Sequence, residues 1–498
     1  MAMQGRTVSG FLIAVWVAIG LVWTGCRRES YSTDPADRLE ASADTLLFDT
    51  VFASVGSITL PVRILNPHEE GIRIDRIFLA AGAQSAYRIN ADGIPGPEIS
   101  GLELSGGDSL WVFVEVTVDP DDSALPFVVE DELLVEYNGN VLGIQLVTWG
   151  RNAHFHGGIG ALSALPCEAV WENDLPHVVY GIVEVEPSCL LTIEAGTQVH
   201  VHPKGGILVN QGTLRVEGSL GSEVVFQGDR LEEDYQDIPG SWGIGLDVAY
   251  ETEFGVDQVT LQRGGIWLYG SVDSRIDYAI LKNGTIGLQV DTVGLAGANS
   301  LTLTNTRIYN MSATGLLAQG AVIDGYNNLI YDCGMACAAF TVGGRYRMEH
   351  CTFGNYWAEG IRSSPAVFIT DWYEAADGSI QERSVAGSRF TNCIVWGNNA
   401  ELDEFDELIC DLRNPPASSI FRYCAVDVDD VLFPVDMLLN CQTNDAPPFV
   451  SISDRDFHLA SNSGAWDGST GSFLISTDLD GLPRAVGLPD KGCFERQP

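Results

Sequence analysis

Basic residues are scarce in this chain: 27 Lys and Arg stand against 67 Asp and Glu, a formal charge of −40 over 498 residues. Such a surface repels nucleic acid and anionic lipid, and it disfavours polyanionic ligands unless a local basic groove is built by folding. Beyond Trp23 no apolar run reaches the roughly 20 residues that a spanning helix needs. No helical periodicity of useful length is visible either. Apolar content is an ordinary 45%, so the chain folds, and its length calls for several domains or an elongated repeat. Histidine is also sparse, at eight residues, which limits imidazole chemistry to a few identifiable places.

The run Phe11–Trp23 is uncharged and follows a single cation, Arg6. Its length suits the core of a signal peptide, with Thr24 and Gly25 as small residues at the cut. "WTGC" then resembles the lipobox of bacterial lipoproteins, with Trp23 where leucine is usual. The resemblance implies cleavage after residue 25, lipidation of Cys26 and a membrane contact made through acyl chains alone. The polar segment 26–41 is expected to be a flexible tether. Removing Cys26 from the eleven cysteines leaves ten, a number compatible with disulfides in an exported protein.

From 42 to 152 short alternating segments such as "LPVRILN" and "FVEVTVDP" predict the strands of an all-β sandwich. Asn66, the Ile72 to Ile77 pattern and the Gly107 to Pro120 pattern resemble immunoglobulin-like domains of the choice-of-anchor or Hydin-like kind, found in bacterial surface proteins. Such modules space, orient or bind.

After a junction at 153–189, the region 190–498 carries a repeat. "LTIEAGT" (191–197) and "LRVEGSL" (214–220) lie 23 residues apart, and superposition of later segments places Ile280, Ile308, Ile330 and Thr352 in register at steps of 28, 22 and 22. Short β runs, frequent Gly and Asn, and a period near 22 are what a parallel β-helix requires. The leucine and asparagine spacing of leucine-rich repeats is absent. "LTIEAGTQVHV", "GTLRVEGSLGSEVVFQG" and "GSWGIG" resemble opening coils of right-handed parallel β-helices, and "HCTFGNYW" (350–357) resembles a coil in exported lipoproteins of the Bacteroidetes type. Asp478, Asp480, Gly481 and Arg484, then Asp490, Gly492 and Glu495, resemble the closing segment of many such helices. The fold expected is all-β: an immunoglobulin-like sandwich followed by a right-handed solenoid.

Cys351, Cys393 and Cys424 occupy equivalent "C-x-V/F" settings, which predicts a ladder of buried thiols; a disulfide between neighbouring coils is the alternative. His154 and His156 share one strand face, as do His200 and His202, but each pair lacks a third ligand, so no metal site is assigned and a polar outer face is expected. The acidic stretches 229–237 and 401–411 lack the spacing of a calcium loop and read as solvated insertions, with Ca²⁺ the one cation they would suit. Many parallel β-helices cleave polysaccharides, yet the polygalacturonase "G-H-G" and pectate-lyase "W-x-D-H" patterns are absent. Asp371, Trp372 and Glu374 in "TDWYEAADG" are the candidates for a glycan cleft. The expected function is a non-enzymatic outer-membrane lipoprotein binding polysaccharide or an envelope protein, with a polysaccharide lyase or glycoside hydrolase as the alternative. No cofactor and no nucleic-acid partner are expected. Arg27 and Arg28 do not resemble the acidic signal that sends some lipoproteins outward, and both faces of the membrane stay open.

Overall fold

The computed structural model describes residues 30–498, apart from 53–56, 119–126, 233–234, 253–254, 292–297, 376, 399–405, 429–432, 444–447, 467, 471–474, 485–487 and 497–498. Cys26 and the expected signal peptide lie outside the described residues. The chain divides into two compact units between Arg151 and Asn152. Among the described residues the fold is all-β, and no helix is long and apolar enough to cross a membrane.

The first unit is a sandwich of a six-stranded and a five-stranded sheet. Strands such as Ser109–Val116 bury every second residue, so Leu110, Val112, Val114 and Val116 meet Val62, Ile64, Ile72 and Ile74 in one core. The segment expected to be a tether is woven into this unit. Tyr31–Ser32 pairs in parallel with Gly71–Ile72, Glu40–Ala41 pairs with Ile64–Leu65, and the buried Leu39 donates its amide to Tyr137 Oη at 3.0 Å. Burial of Leu39 and the strand pairings together act against the ordering cost that would otherwise leave so polar a stretch free.

The second unit is a parallel β-helix. It begins at the strand His154–Ala164, well before Leu190, because that strand pairs in parallel register with His177–Val185. Each later coil contributes three strands. Two of them belong to an 18-stranded sheet and the third, the middle one, to a ten-stranded sheet. Inward positions stack: Ile193, Val216, Ile276 and Leu303 on one column, and Phe390 on Phe421 at 4.8 Å between ring centres further along. Each such side chain contributes about 1.5–3 kcal/mol through burial.

The turn between the middle and third strands is a single left-handed residue, with φ of 45° to 62° at Tyr278, Asn305, Asn327, His350, Asn392, Tyr423 and Asn440. Asn tolerates that conformation because its amide bonds locally. Here the amides also bond along the helix, with Asn327 Nδ2 donating to Asn305 Oδ1 at 2.8 Å. This turn gives Asn305, Asn327, Asn392 and Asn440 their place in the repeat.

Register differs from the sequence superposition at two rungs. Ile280 pairs with Arg307, not Ile308, and Thr352 pairs with Leu329, not Ile330. A one-residue slip exchanges inward for outward positions.

The thiols form the expected ladder: Cys351, Cys393 and Cys424 are buried and unoxidised at equivalent positions, and Cys393 donates its amide to Cys424 Sγ at 3.4 Å. One disulfide, Cys167–Cys189, joins neighbouring coils near the start of the solenoid.

Candidate functional site

The outer face of the ten-stranded sheet brings together residues scattered through the sequence. Arg215 on Thr213–Glu217 pairs directly with Arg275 on Ser274–Asp277, and Arg347 on Arg345–Glu349 pairs with Arg389 on Arg389–Thr391. Thr302 and Asp324 fill the two rungs between these pairs. A parallel outward column holds Glu217, Asp277, Thr304, Tyr326 and Glu349. Arg275 bonds Asp277 at 3.1 Å. Arg215, Arg347 and Arg389 have no hydrogen-bond or ion-pair partner among the described residues, in a chain where acids outnumber bases more than twofold.

Three hollows of about 320, 270 and 60 Å³ run along this face. The first two share Arg275 and Asp277, the last two share Tyr326, and Ile475 from the closing segment forms part of a wall. The groove spans six rungs, about 24 Å at the usual strand separation. Like charges directly opposite each other destabilise a sheet, so two arginine pairs in one column are an arrangement that folding alone disfavours. Planar guanidinium groups at rung spacing suit carboxylates presented at regular intervals. Arg215, Arg275, Arg347 and Arg389 each precede an inward apolar residue (Val216, Ile276, Met348, Phe390). That "R-apolar" signal is present in the sequence, but spacings of 60, 72 and 42 residues hide it.

A second grouping lies on the first strand of the coils. Asp291 Oδ2 accepts hydrogen bonds from Trp267 Nε1 at 2.7 Å and Gln289 Nε2 at 2.9 Å, while its buried Oδ1 has no partner among the described residues. Burial raises the Asp291 pKa against the opposing pull of those two bonds. The guanidinium of Arg263 lies 5.6 Å from the Trp267 ring. Across the rungs Asp291 meets Tyr269 and Gln319, neither of them an acid.

The third face is occupied by the chain itself. Phe449, Phe457, Leu459, Leu479 and Phe494 pack on Leu329, Ile394 and Trp396. The closing motif is a buried clasp: Arg484 bonds Glu495, Asn327 Oδ1 and the Gly492 carbonyl, and Asp478 accepts the amides of Asp480, Leu482 and Glu495. A Cβ at Gly492 would stand 2.7 Å from Ile394 Cδ1 and Thr352 Oγ1. These charged residues are structural.

The expected cleft residues are divided. Asp371 is fully buried and caps the amides of Arg413 and Asn414, both at 2.8 Å; Trp372 is half-buried beneath Arg413; Glu374 is exposed on a hairpin. His200 is buried rather than on a polar outer face, and its Nδ1 meets the Gly228 carbonyl at 3.1 Å. His202 meets Asp229 Oδ2 at 2.6 Å. The acidic stretches are not purely solvated, since Asp229 and Glu232 are buried, and Glu407 forms a bidentate pair with Arg362 at 2.6 and 2.8 Å. On the sandwich, a groove of about 690 Å³ is lined by Arg88, Asn90, Phe113 and Glu115, but Arg88 is committed to the carbonyls of Ser85 and Tyr87.

The pairing pattern defines the class, a two-sheet sandwich followed by a parallel β-helix. No family model and no curated protein sequence matches the chain. Among solved structures, it is similar to XylC in complex with xylose (8% identity, 91% of this chain and 89% of that one, TM-score 0.31). It is similar also to the catalytic unit of a GH87 α-1,3-glucanase from Streptomyces thermodiastaticus strain HF3-3 (10%, 78% and 74%, TM-score 0.28). A PapD-like domain of human CEP192 aligns with 26% of this chain and 95% of its own (9%, TM-score 0.18). These scores are low, and the fold assignment rests on the strand pairing itself.

Proposed function

We propose that this chain is a cell-envelope glycan-binding protein whose arginine groove holds an extended acidic polysaccharide. Lipid attachment at Cys26 is part of this reading; that residue lies outside the described structure. The observation that carries the proposal is the column Arg215, Arg275, Arg347 and Arg389, three of them unpaired among the described residues. Carboxylates of successive sugars would take the guanidinium groups, Asp277 and Glu217 would accept hydrogen bonds from sugar hydroxyls, and Tyr326 offers a ring to a sugar face.

A second reading, a polysaccharide lyase or hydrolase, rests on Asp291, a buried carboxyl with raised pKa beside an indole, which is the setting of a general acid. One experiment addresses both. The full-length protein is passed over immobilised polygalacturonate and over a neutral glucan, and the same mixtures are assayed by chromatography for new chain ends. Binding to the acidic polymer, weakened by salt and reduced about 100-fold or more in Arg347→Ala/Arg389→Ala, is expected from hydrogen bonds to charged groups of about 1.5–3 kcal/mol each. Lys204→Ala, which removes a cation from a coil turn outside the groove, where it pairs with Asp247, is expected to bind as the parent does. Equal loss in both variants, or no retention, would overturn the binding proposal. New chain ends abolished by Asp291→Asn would establish the enzymatic reading.

A further inference from the structure

The leading coil of the solenoid holds a cluster that the pairing of histidines along one strand does not reveal. His154 and His177 are direct partners on neighbouring parallel strands, with ring centres 4.9 Å apart, and Asp174 lies in the turn just before His177. One potential ligand atom from each of the three lies within 4.8 Å of the others. His154 Nε2 already meets Asp174 Oδ1 at 2.9 Å.

The supporting shell is ordered. His177 Nε2 lies 3.0 Å from the Glu172 carbonyl, an acceptor only, so that nitrogen carries the proton and Nδ1 keeps its lone pair. Metal-binding histidines are held in this way, by a carbonyl on the nitrogen away from the ion. The Nδ1 lone pair accepts a hydrogen bond from His156 Nε2 at 2.8 Å, a bond that an ion at Nδ1 would displace, and the His156 ring stacks on Trp171 at 4.5 Å between ring centres. The Leu175 amide donates to Asp174 Oδ1 at 2.8 Å and orients the carboxylate.

We infer that His154, Asp174 and His177 bind a transition-metal dication of the zinc class, with a fourth position filled by water. Two imidazole nitrogens and one carboxylate suit Zn²⁺, Co²⁺ or Ni²⁺ and not Ca²⁺, which takes six to eight oxygens. The metal would tie the edge strand His154–Ala164 to the next rung at the open end of the 18-stranded sheet, the place where a stack has neighbours on one side only.

The test is titration of metal-free full-length protein with Co²⁺, read by the visible absorption of four-coordinate cobalt and by displacement with Zn²⁺. One equivalent per chain is expected, bound at least 10-fold more weakly in His154→Ala and in Asp174→Asn. Their side chains are 42% and 55% exposed, so neither change opens the core. Zn²⁺ is expected to raise the Tm of the parent and to leave that of the double variant unmoved. No cobalt spectrum, a spectrum unchanged in the double variant, or a thiolate charge-transfer band placing the ion on cysteine would each overturn the inference.

Discussion

At the scale of single residues, the charged groups that matter are those whose partners are fixed and those that have none among the described residues. Arg362 and Glu407 are 2% and 0% exposed and joined by two hydrogen bonds, and Glu407 Oε2 also accepts the Ala366 amide at 3.0 Å. Replacing one partner leaves the other charge buried, so Glu407→Gln is expected to cost about 3–5 kcal/mol, measured by chemical denaturation. The change Arg362→Met/Glu407→Leu removes both charges and is expected to recover much of that loss. Arg215, Arg347 and Arg389 stand at the other extreme. They are outward on the sheet, and their replacement by alanine is expected to move ligand affinity with little effect on stability.

At the scale of elements, the closing segment covers the third face of the coils and depends on pH. His458 lies between Asp456 Oδ1 at 2.6 Å and Asp480 Oδ2 at 2.8 Å, and the hydrogen bond to Asp480, with the Asp456 bond and both charges, raises its pKa to about 9 against the desolvation that opposes it. The folded state therefore holds a proton that the unfolded chain releases near pH 6.5. The stabilisation is fully present below about 6.5 and is lost as pH rises to about 9. A Tm that falls across that window in the parent and stays flatter in His458→Ala is the expected result. These groups are more than a third exposed, so the effect is damped by solvent.

At the scale of the whole molecule, the solenoid is stabilised rung by rung, and its ends are the weak points. Cys167–Cys189 closes one coil, with a sequence separation of 22, near the leading end. Reduction is expected to cost about 3 kcal/mol by releasing that loop in the unfolded chain. The signature would be faster amide exchange in the first coils than in the strands around Phe340 and Phe390, read by mass spectrometry. The buried thiols Cys351, Cys393 and Cys424 are expected to react with a thiol reagent only after unfolding.

The parts of this protein legible in the sequence are those governed by local periodicity. Alternation in "FVEVTVDP", the 22–23-residue spacing of short β runs and the recurrent Gly and Asn each report a residue's immediate conformational needs, and from them follow the sandwich and the coils. The thiol ladder was legible for the same reason, since equivalent inward positions share a sequence setting. What the tertiary structure alone decided is which outward residues meet. Insertions of unequal length separate Arg215, Arg275, Arg347 and Arg389 along the chain, while strand pairing sets them in one column. Asp174 reaches His154 by the same parallel register. Asp371 shows the converse: beside an exposed-looking Trp and Glu it reads as part of a cleft, yet two amides from the following coil bury it. Side-chain chemistry is written residue by residue, but a site is a set of distances, and in a solenoid those are set by the stacking of coils.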